Sequence, residues 1–226
     1  MITKNHLIHE VPPVPSGRRG FIRKAALAGA GGAAALFAVR NAQAAEGVNN
    51  GNDRREARST FLDIQRHENA HVAFLVSALG AAARPKPTFQ NLVQPRFRQF
   101  VQVSQALENT GVGAYLGAAP VILNRDYLAA AGSIALIEAR HAGWLNSLVD
   151  VPITTNVYGV EQSFETPLTA AQVVTLASPF IASLNGGPPV TYSLTPSAAN
   201  DIAILNFALA LEYLEAEFYN LNVDNF

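Results

Sequence analysis

Apolar residues recur every three or four positions over most of the chain beyond residue 52, which is the spacing of amphipathic helices. The first such stretch runs from about Asp53 to Ala83, after a flexible polar leader at residues 45–52. Its apolar face carries Phe61, Ile64, His71, Val72, Leu75 and Leu79. Pro85 and Pro87 follow, and because proline cannot continue a helix, a long first helix is predicted to end before them.

Three further stretches have the same helical spacing. The second helix is predicted from about Leu92 or Arg96 to Ala119, and the third from near Asn124 or Asp126 to Leu148. A short helix at 169–183 interrupts irregular sequence. The last stretch, "NDIAILNFALALEYLEAEFYN", is apolar almost all the way round until its glutamates begin, which predicts a helix in the middle of the fold.

Four long helices, with strand-like pieces only near residues 157 and 190, predict an all-α four-helix bundle over 53–226 with a long connection at 150–198. A layered α/β fold is the alternative. It requires strands that alternate with the helices, and the sequence lacks that alternation.

Polar residues on the apolar faces of these helices carry the functional information, because burying an unpartnered carboxylate is costly. Glu68 and His71 lie on the first helix, and Glu138 and His141 repeat their spacing on the third. Side chains at positions i and i+3 of a helix point the same way, so each pair can reach one metal ion.

The other two long helices share a second pattern. Glu108 is followed seven residues later by Tyr115, and Glu212 is followed seven residues later by Tyr219. Seven residues are about two helical turns, so each tyrosine lies on the face of its glutamate and can hydrogen-bond to a carboxylate across a site. Four carboxylates and two imidazoles suit a carboxylate-bridged pair of metal ions.

The segment "HENAH", residues 67–71, also fits the H-E-x-x-H motif of zinc metalloproteases, with His67 and His71 as ligands and Glu68 as general base. That motif needs a third ligand. The only other histidine after residue 44 is His141, which already has its own glutamate. The protease is therefore the weaker alternative, and we expect His67 to face away from the metals, near the surface.

Four segments together carry a family resemblance: "ENAHVAFL", "LENTGVGAYLGAA", "IEARHAG" and "ILNFALALEYLEAEFY". They resemble the ferritin-like superfamily, and more closely the exported ferritin-like proteins that include the desiccation-related proteins, over about 53–149 and 199–220. The ligands that the resemblance implies are Glu68, His71, Glu108, Glu138, His141 and Glu212, with Glu215 as the alternative to Glu212. Glu215 otherwise supports a ligand or faces solvent, and Tyr115 and Tyr219 would hydrogen-bond to the ligands.

The order of the helices departs from that family, which normally begins with the "LEYLEAEFY" helix that stands last here. The chain is a circular permutant, or its last helix completes a neighbouring subunit of a homo-oligomer, or a second domain is cut short. The 13 residues from Arg84 to Arg96 extend up to about 43 Å, against about 30 Å for a helix, so they can make the crossover that permutation requires. We prefer permutation, and exchange between subunits second.

The first 44 residues resemble a bacterial twin-arginine (Tat) signal peptide. Arg18 and Arg19 precede a short Ala/Gly-rich apolar run, and an A-x-A cleavage pattern follows at Ala42–Ala44. The run from Ala25 to Val39 is shorter than the roughly 20 residues of a membrane-spanning helix. The sequence therefore predicts export to the periplasm or beyond, with no membrane association after cleavage.

Net charge and composition exclude some kinds of partner and some kinds of metal site. The whole chain has a formal charge of −1, but residues 45–226 carry 10 basic and 16 acidic residues, a net charge of −6. This acidity argues against a nucleic-acid partner. The absence of cysteine excludes disulfides and thiolate metal sites.

Carboxylate and imidazole ligands suit iron or manganese, and zinc can also occupy them. The expected cofactor is therefore two iron or manganese ions, and the expected partners are these metals with dioxygen or peroxide. Iron oxidation or peroxide reduction in stress protection is the first hypothesis. A non-enzymatic bundle that stores metal or protects the cell during drying is the second, because a ligand set does not choose a reaction.

Overall fold

The computed structural model describes residues 51–226, so the predicted signal peptide at 1–44 lies outside the described part of the chain. It confirms the all-α fold class. The long helices are α1 (Gly51–Leu79), α2 (Phe97–Ala118), α3 (Arg125–Leu148) and α5 (Ala198–Asn222), and the short helix is α4 (Ala170–Ala177). Among the described residues, no helix is both long and apolar enough to cross a bilayer.

The long helices pack as two antiparallel pairs, α1 with α5 and α2 with α3. Hydrogen bonds join α1 and α5 at both ends. Arg58 donates to Asp224 at 2.9 Å, and the backbone N–H of Arg84 donates to the side-chain carbonyl of Asn206 at 2.7 Å. The C-terminal helix thus completes the bundle of its own chain. Permutation of the helix order relative to the family stays a prediction.

Helices α1 and α2 run parallel, since Phe61 contacts Phe100 in their N-terminal halves while Leu75 and Tyr115 share an apolar cluster further along. The connection between them contains β1 (Thr88–Phe89). This strand pairs antiparallel with β2 (Ile181–Ser183) in the second long connection.

The prediction of a strand near residue 190 is wrong, and near residue 157 there is only an isolated bridge between Thr155 and Glu161. The short helix predicted to reach residue 183 ends at Ala177, because Pro179 follows within two residues.

The turn between α2 and α3 is fixed by side-chain acceptors. Asn124 caps α3 by accepting the backbone N–H groups of Asp126 and Tyr127. The buried carboxylate of Asp201, at the start of α5, accepts the backbone N–H groups of Leu123 and Asn124, each at 2.8 Å. These contacts hold α5 against the α2–α3 pair.

Two apolar clusters fill the bundle. One is rich in aromatic rings and includes Phe61, Phe100 and Phe218, whereas the other is mostly aliphatic and includes Leu75 and Leu209. Between them, near the middle of every long helix, lies a layer of buried polar side chains: Glu68, Glu108, Glu138, His141, Glu212 and Glu215. The apolar clusters therefore enclose this layer on both sides.

Candidate metal centre

Two overlapping groups of acid and imidazole side chains form the centre of the polar layer. The first is Glu68, Glu108, Glu138 and His141, and the second is Glu68, His71, Glu138 and Glu212. Within each group, one ligand atom from every residue lies within 4.8 Å of the others. Glu68 and Glu138 belong to both groups, so each of these carboxylates can bridge two cations.

The two imidazoles occupy equivalent places. The Nδ1 atom of His71 lies 3.1 Å from a Glu68 oxygen, 3.2 Å from a Glu212 oxygen and 3.3 Å from a Glu138 oxygen. The Nδ1 atom of His141 lies 3.0 Å from a Glu108 oxygen and 3.1 Å from the other Glu68 oxygen. One nitrogen carries at most one proton and cannot hydrogen-bond to all these oxygens at once, whereas a cation between them is shared by all.

The two tyrosines join the helices crosswise. The hydroxyl of Tyr115 on α2 donates to Glu212 on α5, and the hydroxyl of Tyr219 on α5 donates to Glu108 on α2 at 2.6 Å. Burial, together with the neighbouring carboxylates, raises the pKa of both tyrosines well above the usual value. Both hydroxyls therefore keep their protons and act as donors that orient the two non-shared glutamates.

Burial also controls the charge of the glutamates in the metal-free site. Burial, reinforced by the neighbouring carboxylates, raises the pKa of Glu138 and Glu215 well above the usual value. Burial raises the pKa of Glu212 to about 7. Glu68 is the exception: burial acts to raise its pKa, but the imidazoles of His141 and His71, which face its two oxygens, outweigh this and lower the pKa to about 2. Some of these carboxyl groups therefore hold protons in the metal-free site. When ionised, their negative charges would balance the positive charges of two divalent cations.

Three buried oxygens of the centre have no hydrogen-bond partner among the described residues: both carboxylate oxygens of Glu138 and one oxygen of Glu68. A buried acceptor without a partner costs about 1–3 kcal/mol, and more when it is charged. These oxygens belong to the two residues shared by both four-residue groups. The donor set and the unpartnered oxygens therefore both fit a pair of cations.

Gly111 leaves the space that the Glu138 carboxylate occupies. A Cβ atom at Gly111 would lie 2.6 Å from the Oε2 atom of Glu138 and 3.3 Å from the Oε1 atom of Glu215. Glu215 therefore lies beside Glu138 at the edge of the centre, although it belongs to neither four-residue group. Of the roles considered for Glu215, the solvent-facing one is wrong, since only 3% of the residue is exposed.

The expectation for His67 holds only in part, because the residue lies outside both ligand groups but does not face away from them. Its side chain is half-buried, and its Nδ1 atom lies 2.9 Å from the Nε2 atom of His141. It turns towards the outer edge of the His141 ring instead of away from the centre. Burial and the neighbouring His141 lower its pKa. Helical periodicity did not reveal this contact, because position 67 lies at the boundary between the buried and exposed faces of α1.

A cleft opens between α2 and the residues around the end of α4. Its volume is about 260 Å³, and three glutamines line it, namely Gln94, Gln99 and Gln102. Leu107, Thr110 and Leu176 separate it from an inner void of about 10 Å³ beside Gly111 and Glu215. A void of that size holds about one water molecule.

The comparisons with known proteins agree with this geometry. The family model described as "Ferritin-like domain" matches residues 28–150 and 200–226. The match includes every residue of both four-residue groups and begins inside the predicted signal segment. No curated protein and no solved structure matches the chain significantly. Because the match covers more than half of the sequence, the chain belongs to the ferritin-like domain family.

Proposed function

We propose that this protein binds two iron or manganese ions in a centre bridged by Glu68 and Glu138. Glu108 and His141 complete the ligands of one ion, and Glu212 and His71 complete those of the other. The observation that carries the proposal is the position of Glu138, which is fully buried, belongs to both ligand groups and has no hydrogen-bond partner for either oxygen among the described residues.

The geometry favours this centre over a zinc protease site. In a protease of the H-E-x-x-H type, His67 and His71 would bind one ion together. His67 instead contacts the outer nitrogen of His141 and belongs to neither ligand group. Glu68, the base in that mechanism, lies between two imidazoles that face it from opposite groups.

Bound iron or manganese would supply redox chemistry with dioxygen or peroxide. The chain itself contributes the enclosure. Tyr115 and Tyr219 hold the two non-shared glutamates, and the apolar clusters exclude bulk water. The void of about 10 Å³ beside Gly111 has room for about one water molecule, so only very small molecules can approach the centre there. Peroxide or dioxygen reduction, or oxidation of iron(II), in stress protection is the reaction class we propose.

Metal analysis of the purified full-length chain tests the proposal. We expect about two iron or manganese ions per chain. Glu138→Ala removes a bridging carboxylate and should lose at least one ion. Glu217→Ala is the control, because Glu217 lies on α5 outside the centre and pairs with Lys86 at the surface. A wild-type chain without metal, or equal metal content in both variants, would contradict the proposal.

Peroxide consumption by the metal-loaded protein separates the reaction from storage. Turnover that Glu138→Ala abolishes would indicate an enzyme, and bound metal without turnover would indicate the non-enzymatic alternative.

Export by the Tat route is a separate proposal that rests on residues outside the described structure. Alanine at Arg18 and Arg19 should leave the precursor in the cytoplasm, and undisturbed export would refute it.

A further inference from the structure

The two imidazoles of the centre differ on their outer edges. The Nε2 atom of His141 lies 2.9 Å from the Nδ1 atom of His67, and the two ring planes are within 5° of each other. Among residues 51–226, no protein group forms a hydrogen bond with the Nε2 atom of His71, whose side chain is 11% exposed. The two halves of the centre therefore have matching inner ligands, but only the outer nitrogen of His141 has a hydrogen-bond partner from the protein.

The inner contacts of His141 determine the direction of the outer hydrogen bond. Its Nδ1 atom faces the carboxylates of Glu108 and Glu68, so this nitrogen is the one that offers its lone pair to a cation. A neutral imidazole that binds a cation through Nδ1 carries its proton on Nε2. That N–H must then donate to His67, whose Nδ1 atom accepts it. His67 therefore fixes both the tautomer and the ring orientation of His141.

We infer that His67 is a positioning residue that makes the metal position at His141 tighter than the position at His71. The inference rests on the proposed function. An acceptor on the outer nitrogen of a ligating histidine typically changes metal affinity by about 10–100-fold. The chain should therefore fill its two positions in sequence, with the His141 position first. His67, the first histidine of "HENAH", thus affects the metal ion bound by His141 on α3 without binding that ion itself.

The test is calorimetric titration of the metal-free full-length chain with Mn²⁺ alone. Wild type should bind two ions in two resolved steps. His67→Phe keeps a ring but removes the acceptor, and it should weaken the tighter step by about 10–100-fold while the weaker step stays unchanged. His67→Gln restores an acceptor and should recover part of the loss. His67→Ala serves as a second variant, because the half-exposed position tolerates truncation.

A double-mutant comparison identifies which position responds. In a His141→Ala background, His67→Phe should cause no further loss, because its effect passes through the ring that has been removed. Unchanged affinities in His67→Phe and His67→Ala, or equal weakening of both steps, would overturn the inference. A wild-type chain that binds no Mn²⁺ and no Fe²⁺ would instead refute the proposed function, so the two failures are distinguishable.

Discussion

Glu138 shows at the scale of a single residue how the centre depends on small side chains nearby. Both of its oxygens are buried without hydrogen-bond partners among the described residues, and one lies 2.6 Å from where a Cβ atom at Gly111 would stand. Since that oxygen is the end of a flexible side chain, it can move away from an added methyl group. The fold would tolerate the change, but the carboxylate would leave its position.

Gly111→Ala should therefore weaken metal binding without weakening the metal-free fold. The methyl group displaces the Glu138 carboxylate, and we expect at least a tenfold loss of affinity for one ion, in line with the effect of disturbing a ligand's support. In a helix, alanine is favoured over glycine by about 0.5–1 kcal/mol, which offsets the local adjustment. Titration with Mn²⁺ measures the first effect, and denaturant unfolding of the metal-free chain measures the second.

Gly132→Ala is the matched control. Gly132 lies within α3, and no atom lies within 4 Å of a Cβ atom added there. This variant should gain about 0.5–1 kcal/mol in the free energy of unfolding and bind metal as the wild type does. Normal metal affinity in Gly111→Ala would show that the position of Glu138 is unimportant for binding.

The roles of single residues were only partly predictable from the sequence. The spacing of Glu68 with His71, and of Glu138 with His141, places each pair on one helical face in any bundle, so their convergence followed from periodicity. The crosswise bonds of Tyr115 and Tyr219 depend on which helices become neighbours. The contact of His67 with His141 depends on the rotation of α1 by a fraction of a turn, which no pattern within one helix determines.

Whole elements differ in how strongly local sequence defines them. The structure ends α2 at Ala118 and begins α3 at Arg125, close to the predicted limits, because Pro120 and the Asn124 cap mark those boundaries locally. The strands β1 and β2 have only two and three residues and exist because two long connections meet. Their hydrogen-bond partners lie about ninety residues apart, so no local pattern indicates them.

The packing of the helices creates a layer of acidic side chains that no single helix provides. Parallel α1 and α2 place Glu68 and Glu108 in the same layer, and α5 brings Glu212 to that layer from the far end of the sequence. The acidic layer therefore forms only when all four long helices are in place. Its chemistry belongs to the complete bundle and to no shorter fragment of it.

At the scale of the whole molecule, the stability of the metal-free protein should fall as pH rises. Burial raises the pKa of Glu212 from 4.5 to about 7. Burial lowers the pKa of His71 and His141, but hydrogen bonds and charge from their glutamates outweigh this and raise it from 6.5 to about 10. The folded state therefore holds protons that the unfolded chain releases, between pH 4.5 and about 7 for the glutamate and between 6.5 and about 10 for the histidines.

Metal reverses this dependence, because cations displace the same protons and bind more tightly as pH rises. Thermal unfolding of the metal-free chain should show a lower Tm at about pH 9 than at about pH 6, whereas the increase in Tm on adding Mn²⁺ should be larger at the higher pH. A metal-free Tm that rises over this range would mean that the layer is not protonated as described.

Anomalous diffraction from crystals of the manganese-loaded protein tests the proposed two-metal centre most directly. We expect two anomalous peaks about 3.5–4 Å apart, a typical separation for two-metal sites. Glu68 and Glu138 should lie between the peaks, with His141 on one ion and His71 on the other. A single peak held by His67 and His71 together, or no peak within the glutamate layer, would show that the protein has no two-metal centre of this kind.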